Sequence, residues 1–169
     1  MTTTESLQKL LDVQEIQTIL SKYVIAVDTQ EFSLFDDCFT DDAIIDLANT
    51  GVFTRDSYRD LCRQMLPTLD ATQHQLGLPV IDVRGDRAFS RCYFIAQHAR
   101  NSLAPNPFVL IGGWYDDELA RVDGRWRITR REGTAVWFDG NPDVLGYPFQ
   151  PGALERVPGR ACPSWLLSR

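Results

Sequence analysis

Apolar residues in the first thirty positions recur at three- and four-residue spacing: Leu7, Leu10, Leu11, Ile16, Ile19, Leu20, Tyr23, Val24 and Val27. That period gathers them on one side of an α-helix, predicted over 5–28. Phe32, Phe35 and Phe39 mark one side of a second, short helix over 31–39. The run AIIDLA (43–48) reads as a strand and Gly51 as a turn. Thr54 is placed to cap a third helix that runs to about Leu66, with Pro67 helping to end it. From residue 71 the pattern changes. Long β-rich runs span 72–83, 87–101, 108–122 and 125–138, with turn signals at VRGDR (83–87) and VDGRW (122–126). Three helices followed by a meander of long antiparallel strands predict an α+β domain, its helices packed on one sheet face. The segment 140–169 carries five of the nine prolines. It is predicted to be an irregular covering segment with a short helix near Ala153. No repeat or linker divides the chain, so 1–169 is read as a single domain.

Charge narrows the partners. The net charge is −6 and the isoelectric point about 4.8, which argues against nucleic acid or an anionic membrane surface. The one basic concentration is Arg121, Arg125, Arg127, Arg130 and Arg131, read as solvated strand faces. The opening MTTTESLQKL lacks the apolar core of a secretory signal, and no apolar run approaches the ~20 residues of a membrane span. Cys38, Cys62, Cys92 and Cys162 are scattered, with no CxxC pair. They read as free, mostly buried thiols in a reducing cytoplasm.

The residues able to do chemistry are few. Asp28 falls on the apolar stripe of the first helix, four residues beyond Val24. A carboxylate buried there needs a donor or becomes protonated. Bonding to backbone at the helix end would satisfy it without any function. His74 lies in a predicted strand, with Thr72, Leu76 and Leu78 on its face by alternation. It reads equally as a structural histidine or as a general base whose tautomer a carboxylate fixes. Asp28 and His74 would each satisfy the other. His98 shares a face with Cys92, Phe94 and Ala96 and can point into the same cavity, and Tyr23 could add a phenolic hydrogen bond. Two histidines 24 residues apart make a weak metal site, GG at 112–113 lacks a phosphate-cradling context, and no G-x-S-x-G elbow occurs.

The stretch LLDVQEIQTILSKYVIAVDTQEFSLFDDCFTDDAIID, with GDRAFSRCYFIAQHAR, LIGGWYDDELARVDGRWRITRR and QPGAL, resembles SnoaL-like proteins of the NTF2-like superfamily. The branch is that of scytalone dehydratase, bile-acid 7α-dehydratase and lindane dehydrochlorinase. The resemblance implies a cone-shaped α+β barrel, a homotrimer, and a cofactor-independent elimination from a small, mostly apolar substrate. It assigns Asp28 in AVDTQ and His74 in TQHQLG to a catalytic dyad. Tyr23 matches a tyrosine of the bile-acid enzyme. His98 resembles the second histidine of scytalone dehydratase, with Gln97 as the rival. The family's late arginine falls on Arg131, whereas strict alternation from Trp126 and Ile128 would turn Arg130 inward; a β-bulge would reverse that parity. The expected activity is a lyase that removes water, or halide, from a polycyclic or alicyclic compound. The alternatives are an isomerase or cyclase using the same pocket, and a non-catalytic binding module.

Overall fold

A computed structural model describes residues 2–47, 50–146 and 163–167. Helix α1 (Thr3–Thr29) begins at a capping box, in which the Thr2 hydroxyl accepts from the Glu5 amide and the Glu5 carboxylate from the Thr2 amide. Only part of its apolar stripe is used. Ile16, Ile19, Leu20, Tyr23, Ala26 and Val27 are buried, whereas Leu7, Leu10 and Leu11 are each more than half exposed. Spacing shows which residues share a face, not where the sheet lies beneath it. The predicted second helix is two shorter pieces, a 3-10 turn at Phe32–Leu34 and α2 (Phe35–Cys38). Phe39 already opens strand β1 (Phe39–Leu47), and all three phenylalanines are buried as the pattern required. Strand β2 (Gly51–Thr54) was not foreseen beyond the turn at Gly51. Thr54 caps α3 (Arg55–Met65) as expected.

The predicted strand 72–83 is broken. Strand β3 (Ala71–Leu76) and β4 (Val80–Arg84) flank Gly77–Leu78–Pro79, where proline has no N–H for a ladder. Leu78 therefore leaves the interior face assigned to it and is exposed. Strands β5 (Arg87–Ala99), β6 (Phe108–Val122) and β7 (Arg125–Gly140) form the expected antiparallel meander. The sheet order is β2-β1-β7-β6-β5-β3, with β4 also on β5, and β1 runs parallel to β7. The result is a mixed, mainly antiparallel sheet that is not closed, with the helices packed on it. Beyond it, a 3-10 turn (Pro142–Leu145) buries Val144 and Leu145, and α4 (Ser164–Leu167) places Trp165 against Phe89. The helix expected near Ala153, like Cys162, lies outside the described residues. No described helix is long and apolar enough to cross a membrane.

Two irregularities in β7 shape the interior. Leu119 pairs with Ile128 but Glu118 with Arg130, so Thr129 is an extra residue in the strand. That bulge turns Arg131 inward after Trp126 and Ile128 and leaves Arg130 outside, 3.5 Å from Asp46. Reading Arg131 as a solvated strand residue is thus corrected: it is 1% exposed. At the second bulge Gly112 pairs with Trp137 and Gly113 with Ala135. A Cβ on Gly113 would stand 1.8 Å from the Thr134 carbonyl oxygen, so only glycine permits this approach.

Candidate active site

Asp28 sits in the last turn of α1, where the helix dipole disfavours a negative charge. Strand β3 supplies what the helix end cannot. The His74 backbone N–H donates to Asp28 Oδ2 at 2.7 Å, and His74 Nδ1 lies 2.7 Å from Asp28 Oδ1. Burial pushes the Asp28 pKa up, but the ring bond, the backbone bond and the nearby histidines outweigh it, so the group is held below the usual carboxylate range. An ionised carboxylate only accepts, so Nδ1 carries the proton and His74 Nε2 keeps its lone pair. The His74 side chain is 8% exposed and lines a cavity of about 120 Å³ between the helices and the sheet.

His98 lies across the ladder, with Thr72 as its direct partner in β3. Alternation along β5 is unbroken by any bulge here, so His98 is buried and Gln97 exposed, which resolves that pair of alternatives. The rings of His74 and His98 are 5.5 Å apart. Desolvation, then the neighbouring His74, push the His98 pKa down to about 4, against an opposing pull from Asp28.

Tyr23 forms a second polar group on the wall. Its hydroxyl is 2.8 Å from that of Tyr58 on α3, and both are buried. Desolvation raises both phenols, so they stay protonated. Arg131 stands behind them. Its guanidinium stacks 4.1 Å from the Tyr23 ring centroid and 4.3 Å from that of Tyr115, and makes two bonds to Asp117 at 2.7 and 2.9 Å. Arg131 is inside, as the resemblance implies, but it is not among the residues that line the cavity.

Sequence reasoning missed Tyr58, Tyr115 and Asp117, and named Thr72 only as a facial neighbour of His74. Tyr58 carries a usable signal, standing four residues before Cys62 on one side of α3. Asp117 carries none, because its meaning depends on the Thr129 bulge. Among the described residues the lining holds no arginine, lysine or carboxylate. Cys62 lies in the wall with its thiol pushed up to about 12 by burial, so it stays neutral.

Comparison with known proteins agrees with this architecture. The SnoaL-like domain model matches residues 8–132. The chain belongs to the SnoaL-like family. An uncharacterised protein from Mycobacterium tuberculosis is 33% identical over 139 residues, covering 75% of this chain and 86% of that one. The terrestric acid biosynthesis cluster protein E of Penicillium crustosum is 29% identical over 142 residues, covering 81% and 91%. A hexachlorocyclohexane dehydrochlorinase of Novosphingobium barchaimii superposes with a TM-score of 0.72 at 20% identity, covering 85% of this chain and 99% of that one. At that identity the likeness speaks for the NTF2-like fold.

Proposed function

We propose that this SnoaL-like protein is a cofactor-independent lyase that eliminates water from a small, uncharged alicyclic substrate. The observation that carries the reading is the Asp28–His74 hydrogen bond at the wall of a largely apolar cavity. Asp28 fixes the tautomer of His74 and stabilises its cation. His74 Nε2 takes a proton from a carbon next to an activating group, and the C–H electron pair becomes the new double bond. The adjacent C–O bond breaks, and its oxygen leaves as water with the proton returned by the His74 imidazolium. The enzyme ends in its starting state. Tyr23 and Tyr58 spend one phenolic proton on the bond between them, and the other is offered to the oxygen of the activating group. Arg131 acts through the two rings it stacks on, as a positioning residue rather than a contact.

The wall supports an uncharged substrate, since among the described residues none that lines the cavity carries a fixed charge to match a carboxylate or phosphate. Volume supports a small reacting part: a dry cavity of about 150 Å³ holds benzene, and this one is about 120 Å³. The cavity therefore encloses at most a single ring, and any remainder of the molecule lies outside it. Halide in place of hydroxide would use the same first step, its proton then passing to solvent.

The assembly we infer is a homotrimer in a reducing cytoplasm. Tyr93, Ile95, Phe108, Val136 and Trp137 are exposed on strands β5, β6 and β7, an apolar set that association would cover. The activity is tested with a panel of β-hydroxylated cyclic ketones in heavy water. The proposal expects conjugated product to form and deuterium to enter the carbon that loses its proton. Neither elimination nor exchange above background across the panel would leave a binding module as the better reading.

A further inference from the structure

We infer that Thr72 is a positioning residue that holds His98 as the tautomer protonated on Nε2, so that the two histidines of the cavity present opposite functions. The Thr72 hydroxyl has one proton and two acceptors near it among the described residues. It lies 2.9 Å from His98 Nδ1 and 3.5 Å from Asp28 Oδ1. A hydroxyl donating to an ionised carboxylate settles at about 2.5–2.7 Å, so the longer distance is not that of a charge-assisted bond. Asp28 Oδ1 already accepts from His74 Nδ1 at 2.7 Å, so a second bond from Thr72 at 3.5 Å is the weaker of the two open to that hydroxyl. The Thr72 proton therefore goes to His98 Nδ1, which must be unprotonated to accept it. A neutral imidazole has one N–H, and here it falls on Nε2.

The ladder holds the two side chains within reach of each other. Thr72 and His98 are direct cross-strand partners on β3 and β5, and His74 pairs with Ala96 two residues along. Side chains of opposed residues meet at this spacing. The same strand thus carries the base and the residue that orients its neighbour. Burial keeps His98 uncharged, which preserves the single-donor state.

The consequence is a division of labour. His74 offers a lone pair and His98 an N–H, with ring centroids 5.5 Å apart. No proton leaves His98: it donates a hydrogen bond to an oxygen of the bound molecule. A substrate with an acidic C–H and a hydroxyl or carbonyl oxygen on neighbouring atoms matches this pair. An apolar molecule without oxygen leaves the His98 N–H unmatched. The substrate preference rests on the lyase reading, whereas the tautomer does not.

The test is a long-range ¹H–¹⁵N correlation spectrum of uniformly labelled protein near pH 7. The chain has only two histidines, so two ring systems appear, and His74→Gln assigns them. We expect the His98 Nδ1 shift to be that of an unprotonated nitrogen and Nε2 that of a protonated one. Thr72→Val, which keeps the shape without the hydroxyl, should average or invert that pattern, and Thr72→Ser should restore it. A wild-type His98 protonated on Nδ1 would overturn the inference, whether or not the variants fold. So would a pattern unchanged in Thr72→Val. Because no turnover is measured, failure of the lyase reading leaves this result intact, and the reverse also holds.

Discussion

Replacing Asp117 with asparagine should destabilise this protein far more than an ordinary polar exchange. The Asp117 side chain is fully enclosed and Arg131 is 1% exposed, joined by two bonds at 2.7 and 2.9 Å. Asparagine keeps the volume but removes the charge, so the guanidinium stays buried without a counter-ion. Breaking such a pair costs about 3–5 kcal/mol, a large part of the ~5–15 kcal/mol that holds a typical domain together. At about 2–4 °C per kcal/mol for a chain of this size, the midpoint should fall by roughly 10 °C. Among the described residues Arg131 Nη1 already lacks a hydrogen-bond partner, so none of them offers a spare acceptor to take up the loss. The double exchange Asp117→Leu with Arg131→Met should recover most of it. Desolvation roughly offsets attraction in a buried pair, and what remains missing is the stacking on Tyr23 and Tyr115, about 1–2 kcal/mol. Urea unfolding followed by circular dichroism, at one fixed protein concentration, measures both. A loss under about 1 kcal/mol in Asp117→Asn would refute the reasoning. A double variant no more stable than the single one would do so as well.

Stability should fall with acidity before any carboxylate titrates. His98 has a folded pKa of about 4 against an ordinary 6.5, with Asp28, His74 and Thr72 facing it. The unfolded chain therefore binds the extra proton first, so stability is full above about 6.5 and drops by roughly 3 kcal/mol as pH falls to about 4. Unfolding curves at pH 7.5 and 5 check this, with His98→Gln expected to flatten the difference; equal stability at the two pH values would contradict it. Asp28, whose pKa is lowered, adds a further loss only below the ordinary carboxylate range. Gly113→Ala should cost about 3 kcal/mol or more, because its Cβ meets the Thr134 carbonyl at 1.8 Å and backbone must move; wild-type thermal stability would refute the close approach. If the proposed homotrimer covers the exposed face of β7, Trp137→Glu should give monomers where wild type gives trimers by light scattering, and an unchanged mass would remove that face from the interface.

Where sequence was informative, the reason is local physics. Regular spacing located α1, the Thr54 cap and Pro67 located α3, turn signals between β-rich runs located the meander β5–β7, and strict alternation along β5 was enough to turn His98 inward once no bulge intervened. The need of a buried carboxylate for a donor made His74 a candidate partner for Asp28, and the family resemblance chose that pairing over backbone capping at the helix end. What was illegible depends on register between distant strands. Arg131 could be chosen over Arg130 only by resemblance, because the extra residue at Thr129 leaves no mark in composition. The break at Gly77–Pro79 was hidden in an apolar run, although Pro79 itself was a readable warning. Leu7, Leu10 and Leu11 had the right period and still ended exposed, since periodicity carries no information on how far the sheet extends.

The most direct test of the central claim is the rate of proton removal from a substrate identified in the cyclic-ketone panel, compared among wild type, His74→Gln, Asp28→Asn and the double variant. If His74 is the base and Asp28 its orienting partner, His74→Gln should bind the ligand yet lose ~10²–10⁴-fold in rate. Asp28→Asn should lose a comparable amount, since the amide cannot stabilise the imidazolium that forms. The double variant should be little worse than either single one, because the two residues act as a unit. Proton removal that proceeds at the wild-type rate in His74→Gln would contradict the account.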